Sequence, residues 1–216
     1  MKAVIFDMDG VIIDSEPIHT ITKMQTFKHY DIPFAEKDCE KYMGQTTKSL
    51  FAALIKQHNR DISVAEMVAH KYKLYLDILD NNKSIQPIEG ILDLLRYLKQ
   101  EAIPTAIGSS SGREIIDAVV KKFQLKSYFQ SIISGADLPK SKPDPAVYLL
   151  TAERLGVSPT DCIVIEDTSS GVQAAKAAGM YCIAHQNKNS GSQDLRQADS
   201  IVPSIKSIDL SLYFRN

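Results

Sequence analysis

Two aspartates near the start of the chain, Asp7 and Asp9, have a type and spacing that could carry chemistry. They follow an apolar run, residues 3–6, that is typical of a buried strand, and Gly10 allows the chain to turn sharply behind them. Two carboxylates so close repel each other unless a proton or a cation intervenes, and a hard, oxygen-seeking ion such as Mg2+ is the natural partner. The alternative is structural, because Asp is also common in turns at strand ends.

Three later polar stretches favour the chemical interpretation of Asp7 and Asp9 over the structural one, because each stands at or near the end of a predicted strand. They are residues 109–111, residues 142–145 and residues 166–171. In a parallel sheet the carboxyl ends of the strands share one edge, so these stretches converge on Asp7 and Asp9. Carboxylates combined with a hydroxyl and an ammonium group predict an anion, such as phosphate, held opposite a metal ion.

Each of these positions also has an ordinary structural explanation. Ser109 could cap a helix that begins near Gly112, and Asp167 could cap the helix that includes residues 172–178. Lys142 could be a solvated surface lysine. None of these alternatives explains why all of the positions fall at one edge of the sheet.

The elements that must position these residues form a regular alternation from Pro87 onward. Strands are predicted at 103–108, 131–135, 162–167 and 181–184, and a last, weaker helix and strand at 194–202. Apolar strands alternating with helices predict an α/β fold whose parallel sheet is covered on both faces. The polar stretch 186–193 is predicted to be a surface loop.

Residues 17–83 differ, because their apolar positions recur at helical spacing and no strand is evident. Ser63 and Glu66 form a capping box at the start of the last helix there. The predicted domains are a core of residues 1–16 and 84–216 and an all-helical insertion of residues 17–83. An insertion directly after the Asp pair is placed where a lid would close over the site.

Composition excludes several classes of function. The chain has 216 residues, 44% of them hydrophobic and 24% charged, with a net charge of −1. Because both signs are interspersed, neither a nucleic acid nor a membrane is expected as a partner. There is no predicted membrane span and no secretion signal, and the three cysteines lack metal-ligand spacing. We expect a cytoplasmic, monomeric protein whose partner is a small molecule.

The four stretches, in order, resemble the four motifs of the haloacid dehalogenase superfamily. The opening stretch is similar to that of β-phosphoglucomutases and small sugar-phosphate phosphatases, including Asp14, Glu16 and His19. The resemblance covers essentially the whole chain. It implies a Rossmann-like, doubly wound parallel sheet with an inserted small all-helical cap, and phosphoryl-transfer chemistry that depends on Mg2+.

The resemblance also implies roles for individual residues. Asp7 would be the nucleophile that forms an aspartyl-phosphate, and Asp9 the general acid and base. Ser109 and Lys142 would stabilise the transferring phosphoryl group. Mg2+ would be bound by Asp7, the backbone carbonyl of Asp9 and Asp167, with Glu166 as a ligand or an outer partner of the ligands. Ser110, Ser111 and Arg113 would contact the phosphate or the leaving group.

The cap would select the substrate, a small phosphorylated metabolite. His19 matches a histidine that mutase-like members place near the substrate, and its alternative is a histidine bonded across the hinge. Residues 42–48 resemble the specificity loop of the cap. Thr47 stands where β-phosphoglucomutases have an arginine for the second phosphate of their bisphosphate intermediate, and the neighbouring Lys48 lacks the bidentate geometry of arginine.

Three functions are therefore compared. The first is an Mg2+-dependent phosphatase for a small phosphorylated metabolite of the sugar-phosphate class. The second is a β-phosphoglucomutase-like mutase, which Thr47 disfavours. The third is a catalytically silent binding protein, which the complete set of motif residues disfavours.

Overall fold

A sheet of six parallel strands forms the core of the larger part of the chain. The computed structural model describes residues 1–35 and 46–214. The strands are Ala3–Phe6 (β1), Thr105–Ser109 (β2), Ser131–Ser134 (β3), Cys162–Glu166 (β4), Tyr181–His185 (β5) and Ser200–Val202 (β6). Their order across the sheet is β3-β2-β1-β4-β5-β6, which confirms the predicted Rossmann-like, doubly wound α/β fold.

Helices connect the strands from β1 to β5, and residues 186–199, between β5 and β6, contain no helix. The helices are Glu16–His29 (α1), Thr47–Gln57 (α2), Val64–Asn81 (α3), Ile91–Gln100 (α4), Arg113–Lys122 (α5), Ala146–Leu155 (α6) and Ser169–Ala177 (α7). Within the described residues, none of the helices combines the length and the apolar character that a membrane span requires.

The register of the central strands brings their carboxyl ends to one level. β1 and β4 are buried along their whole length, as expected for strands covered on both faces. Phe6, the last residue of β1, pairs with Ile107 of β2 and Ile165 of β4. The residues that follow these strands therefore emerge side by side, at the point where the strand order reverses and α/β proteins bind ligands.

The chain divides into two compact units. The first, called here the sheet unit, comprises Met1–Glu16 and Ser84–Asn216, and the second, the helical unit, comprises Pro17–Lys83. An apolar cluster that includes Phe27, Phe51 and Met67 forms the core of the helical unit. The function of the helical unit as a cap stays a prediction.

The weak helix predicted near residue 194 is absent, whereas the predicted N-cap of α3 at Ser63 is present. Residues 194–198 form turns instead of the weak helix expected there, because Asp194 Oδ1 accepts the backbone N–H of Arg196 at 3.2 Å and so bends the chain locally. In the helical unit, Ser63 Oγ accepts the backbone N–H of Glu66 at 3.0 Å, which confirms the N-cap of α3.

Candidate active site

A tight turn after β1 places the first two aspartates. Asp7 continues the sheet pairing by donating its N–H to the carbonyl of Ile165 at 3.0 Å, and the Gly10 N–H donates to the carbonyl of Ile13 at 2.8 Å. Gly10 has a φ of +79°, and a Cβ there would lie 1.8 Å from Asp167 Oδ2. Only glycine therefore lets the turn approach the carboxylate that follows β4 so closely.

Lys142 is a buried cation that joins two carboxylates. Its Nζ donates to Asp7 Oδ1 at 2.8 Å and to Glu166 Oε1 at 2.6 Å, and it lies 4.7 Å from the centre of the Tyr148 ring. Only 6% of its side chain is exposed, so the alternative of a solvated surface lysine is wrong. Although burial opposes this, the two carboxylates raise the pKa of Lys142 above its ordinary value, so the ammonium stays charged.

Glu166 is fully buried and accepts hydrogen bonds at both oxygens. Oε1 accepts from Lys142 at 2.6 Å and from the Tyr148 hydroxyl at 2.7 Å. Oε2 accepts from the N–H of Asp167 at 2.8 Å and from the N–H and hydroxyl of Thr168 at 3.0 and 3.1 Å. Since a carboxylate offers only about four acceptor sites, these donors favour the outer role for Glu166 over direct metal binding.

The carboxylates at this edge form a group that could hold a metal ion. Asp7, Glu166 and Asp167 each offer an oxygen within 4.8 Å of the others. Asp167 is 2% exposed, and its Oδ1 has no hydrogen-bond partner in the described structure. A buried oxygen without a donor and a donor set made only of oxygen atoms fit a hard cation such as Mg2+.

The pKa values of the two aspartates support the same assignment. Burial raises the pKa of Asp167 to about 9, and the neighbouring Glu166 and Asp7 carboxylates add to the rise. Burial also raises the pKa of Asp7 to about 7. The Lys142 ammonium lowers this pKa, whereas the Glu166 and Asp9 carboxylates raise it. A divalent cation bound beside these carboxylates would lower both pKa values and favour the ionised forms.

Asp9 is held by two hydroxyl groups. The Ser15 hydroxyl donates to Asp9 Oδ1 at 2.5 Å, and the Ser111 hydroxyl donates to Asp9 Oδ2 at 2.6 Å. The predicted residue Ser111 thus contacts Asp9 directly, across more than a hundred residues of sequence. The role of Ser15 was missed, although its position six residues after Asp9, just beyond the turn, could have indicated it.

The two capping alternatives are wrong. Ser109 is the last residue of β2, and its Oγ accepts the backbone N–H of Ser111 at 3.0 Å, while Gly112 is the N-cap of α5. Thr168, whose hydroxyl accepts the N–H of Gly171 at 3.1 Å, is the N-cap of α7 in place of Asp167. Both predicted site residues are therefore available for roles other than capping.

Arg113 is paired with an aspartate on its own helix. Its Nε donates to both oxygens of Asp117 at 2.9 Å, and its Nη1 donates to the carbonyl of Ile132 at 3.3 Å. The i,i+4 spacing on α5 favours this pair, and the contact between Arg113 and phosphate stays a prediction. Ser110, directly after β2, is exposed.

The substrate-binding residues predicted in the cap lie in the helical unit. Thr47 and Lys48 are the first two residues of α2, after the N-cap Thr46, and residues 42–45 of the predicted specificity loop lie outside the described residues. His19 lies on α1, and its Nδ1 is 3.1 Å from the Nζ of Lys71, a lysine that is 2% exposed. No motif in the sequence indicates Lys71, whose burial is set by the packing of α3.

The stretch 186–193, predicted to be a simple surface loop, is bonded to the site. Asn187 Nδ2 donates to the carbonyl of Gly10 at 3.2 Å, and the Ser190 hydroxyl donates to Asp167 Oδ2. His185, at the end of β5, is also buried, and its Nδ1 is 3.1 Å from the same Gly10 carbonyl. The signal was present, because this stretch follows the carboxyl end of a parallel strand as the recognised motifs do.

A sequence profile of the haloacid dehalogenase-like hydrolase family matches residues 4–185, which include Asp7, Asp9, Glu166 and Asp167. The chain belongs to this family. The resemblance seen in the sequence motifs is thereby confirmed, and the protein is an enzyme of the haloacid dehalogenase superfamily with phosphatases among its relatives.

Two relatives and one solved structure are similar to this chain over most of its length. Fructose-1-phosphate phosphatase YqaB of Escherichia coli K12 is 31% identical over 179 residues, which cover 83% of this chain and 93% of that protein. Beta-phosphoglucomutase of Bacillus subtilis is 33% identical over 188 residues, which cover 85% and 82%. CbbY of Rhodobacter sphaeroides, solved with xylulose-(1,5)bisphosphate, has a TM-score of 0.87 and covers 96% of both chains; at 21% identity this likeness shows the fold alone.

Proposed function

We propose that this protein is an Mg2+-dependent phosphatase that hydrolyses a small phosphorylated metabolite, of the sugar-phosphate class, through an aspartyl-phosphate. The observation that carries the proposal is the buried ammonium of Lys142, which donates to Asp7 Oδ1 at 2.8 Å and to Glu166 Oε1 at 2.6 Å. A charged donor fixed in this way orients Asp7 and stabilises negative charge on a phosphoryl group next to it.

In the first half of the reaction, a carboxylate oxygen of Asp7 forms a bond to phosphorus while the bond between phosphorus and the ester oxygen breaks. The departing alkoxide takes a proton from Asp9 and leaves as an alcohol. The hydroxyls of Ser15 and Ser111 hold Asp9 in one orientation, so that the proton is delivered from a fixed position.

In the second half, a water molecule attacks the phosphorus of the aspartyl-phosphate. Asp9, now ionised, accepts a proton from this water, and the bond between phosphorus and the Asp7 oxygen breaks. Inorganic phosphate leaves, and Asp7 and Asp9 return to their starting states. Lys142 stays charged in both halves, because the Glu166 carboxylate remains beside it and the negative phosphoryl group replaces the charge of Asp7 in the intermediate.

The residues that would hold Mg2+ are the Asp7 and Asp167 carboxylates and the backbone carbonyl of Asp9. When bound, the ion neutralises charge on the phosphoryl oxygens and on the two aspartates. Glu166 orients this group from outside, through Lys142 and the Asp167 N–H.

The relatives support this substrate class, since they include a fructose-1-phosphate phosphatase and a beta-phosphoglucomutase. The identity with the mutase, 33%, makes a phosphosugar mutase the second candidate. A mutase must also hold a second phosphate. Thr47 and the exposed Lys48 lack the bidentate fork suited to that task. Lys71 is 2% exposed and lies against His19, so its ammonium is not presented to solvent.

A cytoplasmic location and a monomeric state belong to the same proposal. The free thiols of Cys162 and Cys182 are buried, and they support a reducing compartment. Cys39 lies outside the described residues.

The test is phosphate release, with Mg2+ present, from a panel of phosphorylated sugars and small phosphoesters. The panel includes fructose 1-phosphate and β-glucose 1-phosphate, with formation of glucose 6-phosphate followed in parallel. Free phosphate from one or a few sugar phosphates supports the phosphatase, and isomerisation without phosphate release would establish the mutase instead.

The variant Asp7→Asn should abolish phosphate release, because an amide oxygen is a far weaker nucleophile than a carboxylate. Its control is Asp161→Asn, which alters an aspartate on the surface of the same unit and should keep full activity. Full activity in Asp7→Asn would remove the aspartyl-phosphate mechanism.

A further inference from the structure

The segment after β5, residues 186–193, is held against the start of α7. Its Gln193 bridges the two, because Oε1 accepts the backbone N–H of Ser169 at 2.9 Å while Nε2 donates to the carbonyl of Ser190 at 2.7 Å. The Ser169 hydroxyl accepts the N–H of Asp194 at 2.7 Å. The position of Ser190 is therefore set by the same helix start that follows Asp167.

The same segment is also bonded to the turn after β1. Asn187 Nδ2 donates to the carbonyl of Gly10 at 3.2 Å, and Asn189 Nδ2 donates to Asp14 Oδ2. The segment thus connects the two stretches that supply the carboxylates. A loop that only joined β5 to β6 would need neither set of bonds.

The two oxygens of Asp167 have different surroundings. Oδ2 accepts the Ser190 hydroxyl and faces the turn at Gly10, where an added Cβ would be 1.8 Å away. Oδ1 is buried and has no hydrogen-bond partner in the described structure. Oδ1 is therefore the oxygen that no protein group occupies, and the Ser190 hydroxyl is the polar group that creates the difference.

We propose that Ser190 is a positioning residue that restricts Asp167 to binding a metal ion through the single oxygen Oδ1, and so favours Mg2+ over Ca2+. This inference rests on the proposed Mg2+-dependent function. Mg2+ requires near-octahedral coordination by oxygen atoms at short distances, whereas Ca2+ takes six to eight oxygens and readily accepts both oxygens of a carboxylate. A carboxylate with one oxygen occupied by a hydroxyl is suited to the smaller ion.

The experiment measures the binding of MgCl2 and of CaCl2 to the purified full chain by titration calorimetry, without substrate. Ser190→Ala removes the hydroxyl, and Ser190→Thr keeps one. Ser192→Ala is the matched control, because it removes an exposed hydroxyl from the same segment. We expect the Kd for Mg2+ to rise by about 10–100-fold in Ser190→Ala, the usual effect of losing an outer partner of a metal ligand. The Kd for Ca2+ should change less, so that the ratio of the Kd for Ca2+ to the Kd for Mg2+ becomes smaller.

Ser190→Thr and Ser192→Ala should bind both ions as the wild type does. In activity assays, Ser190→Ala should need more Mg2+ for half-maximal rate and should regain activity as Mg2+ is raised. An unchanged Kd for Mg2+ in Ser190→Ala, an equal rise for both ions, or a wild type that binds no Mg2+ would overturn the inference. A protein that binds Mg2+ in this pattern but hydrolyses none of the phosphoesters would instead refute the proposed function alone.

Discussion

Replacing Lys142 with methionine tests whether its ammonium compensates two buried carboxylates. The side chain is 6% exposed, and the carboxylates of Asp7 and Glu166 are 8% and 0% exposed. Removing one partner of a buried ion pair leaves an uncompensated charge and destabilises a protein by about 3–5 kcal/mol. For a chain of this length each kcal/mol lowers Tm by about 2–4 °C, so we expect a fall of about 6–20 °C for Lys142→Met.

The assay is thermal unfolding in metal-free buffer, followed by circular dichroism. The matched control is Lys2→Met, because Lys2 also lies 2.8 Å from a carboxylate, that of Asp161, but is 72% exposed. Surface pairs contribute little to stability, so this control should show no measurable shift. A Lys142→Met variant within about 2 °C of the wild type would refute the reasoning, since the carboxylates would then not need the cation.

Three further predictions concern the same edge of the sheet. Asp9→Asn should slow turnover by about 10²–10⁴-fold, the usual share of a general acid–base, and an unchanged rate in steady-state kinetics would assign the proton transfer to another group. Gly10→Ala should weaken Mg2+ binding in calorimetry, because the added Cβ would clash with Asp167 Oδ2. Gly156→Ala is the control for backbone strain, because Gly156 has a φ of +68° and an added Cβ there would have no atom within 4 Å. Equal Mg2+ binding in both variants would contradict the clash with Asp167. The pKa values of Asp7 and Asp167 are about 7 and about 9, above the values of the same groups in the unfolded chain. The protonated forms of these two groups therefore stabilise the fold fully below about pH 4, and this stabilisation is lost as the pH rises through about 7 and about 9. The rise in Tm that Mg2+ produces should therefore be larger at about pH 9 than at about pH 6, and an equal rise would contradict the assignment.

The convergence of the site could be predicted from sequence because it depends on topology. Once β1 and β4 are recognised as parallel strands, Asp7 and Asp167 must emerge at the same edge of the sheet. The pairing of Phe6 with Ile165 is a property of the backbone, so this convergence can be predicted without knowing how the side chains pack.

Hydrogen-bond partners could not be predicted in this way, because each depends on a local competition. Arg113 pairs with Asp117, its neighbour at i,i+4. Whether Glu166 binds a metal or supports its ligands depends on donors such as Tyr148, a residue with no motif, which donates to Oε1 at 2.7 Å. The role of segment 186–193 was missed because its small polar residues are equally typical of an exposed loop.

The central position of β1 has a consequence for how the protein is made. Val4 pairs with Thr105 and with Ile163, so its two neighbours are synthesised roughly a hundred and roughly a hundred and sixty residues later. At synthesis rates of about 5–20 residues per second, the first strand waits about 5–20 s for β2 and longer for β4. During that time the helical unit can form its own core from local contacts, while an apolar strand remains unpaired. The carboxylate edge is therefore completed late, when β4 brings Asp167 beside Asp7.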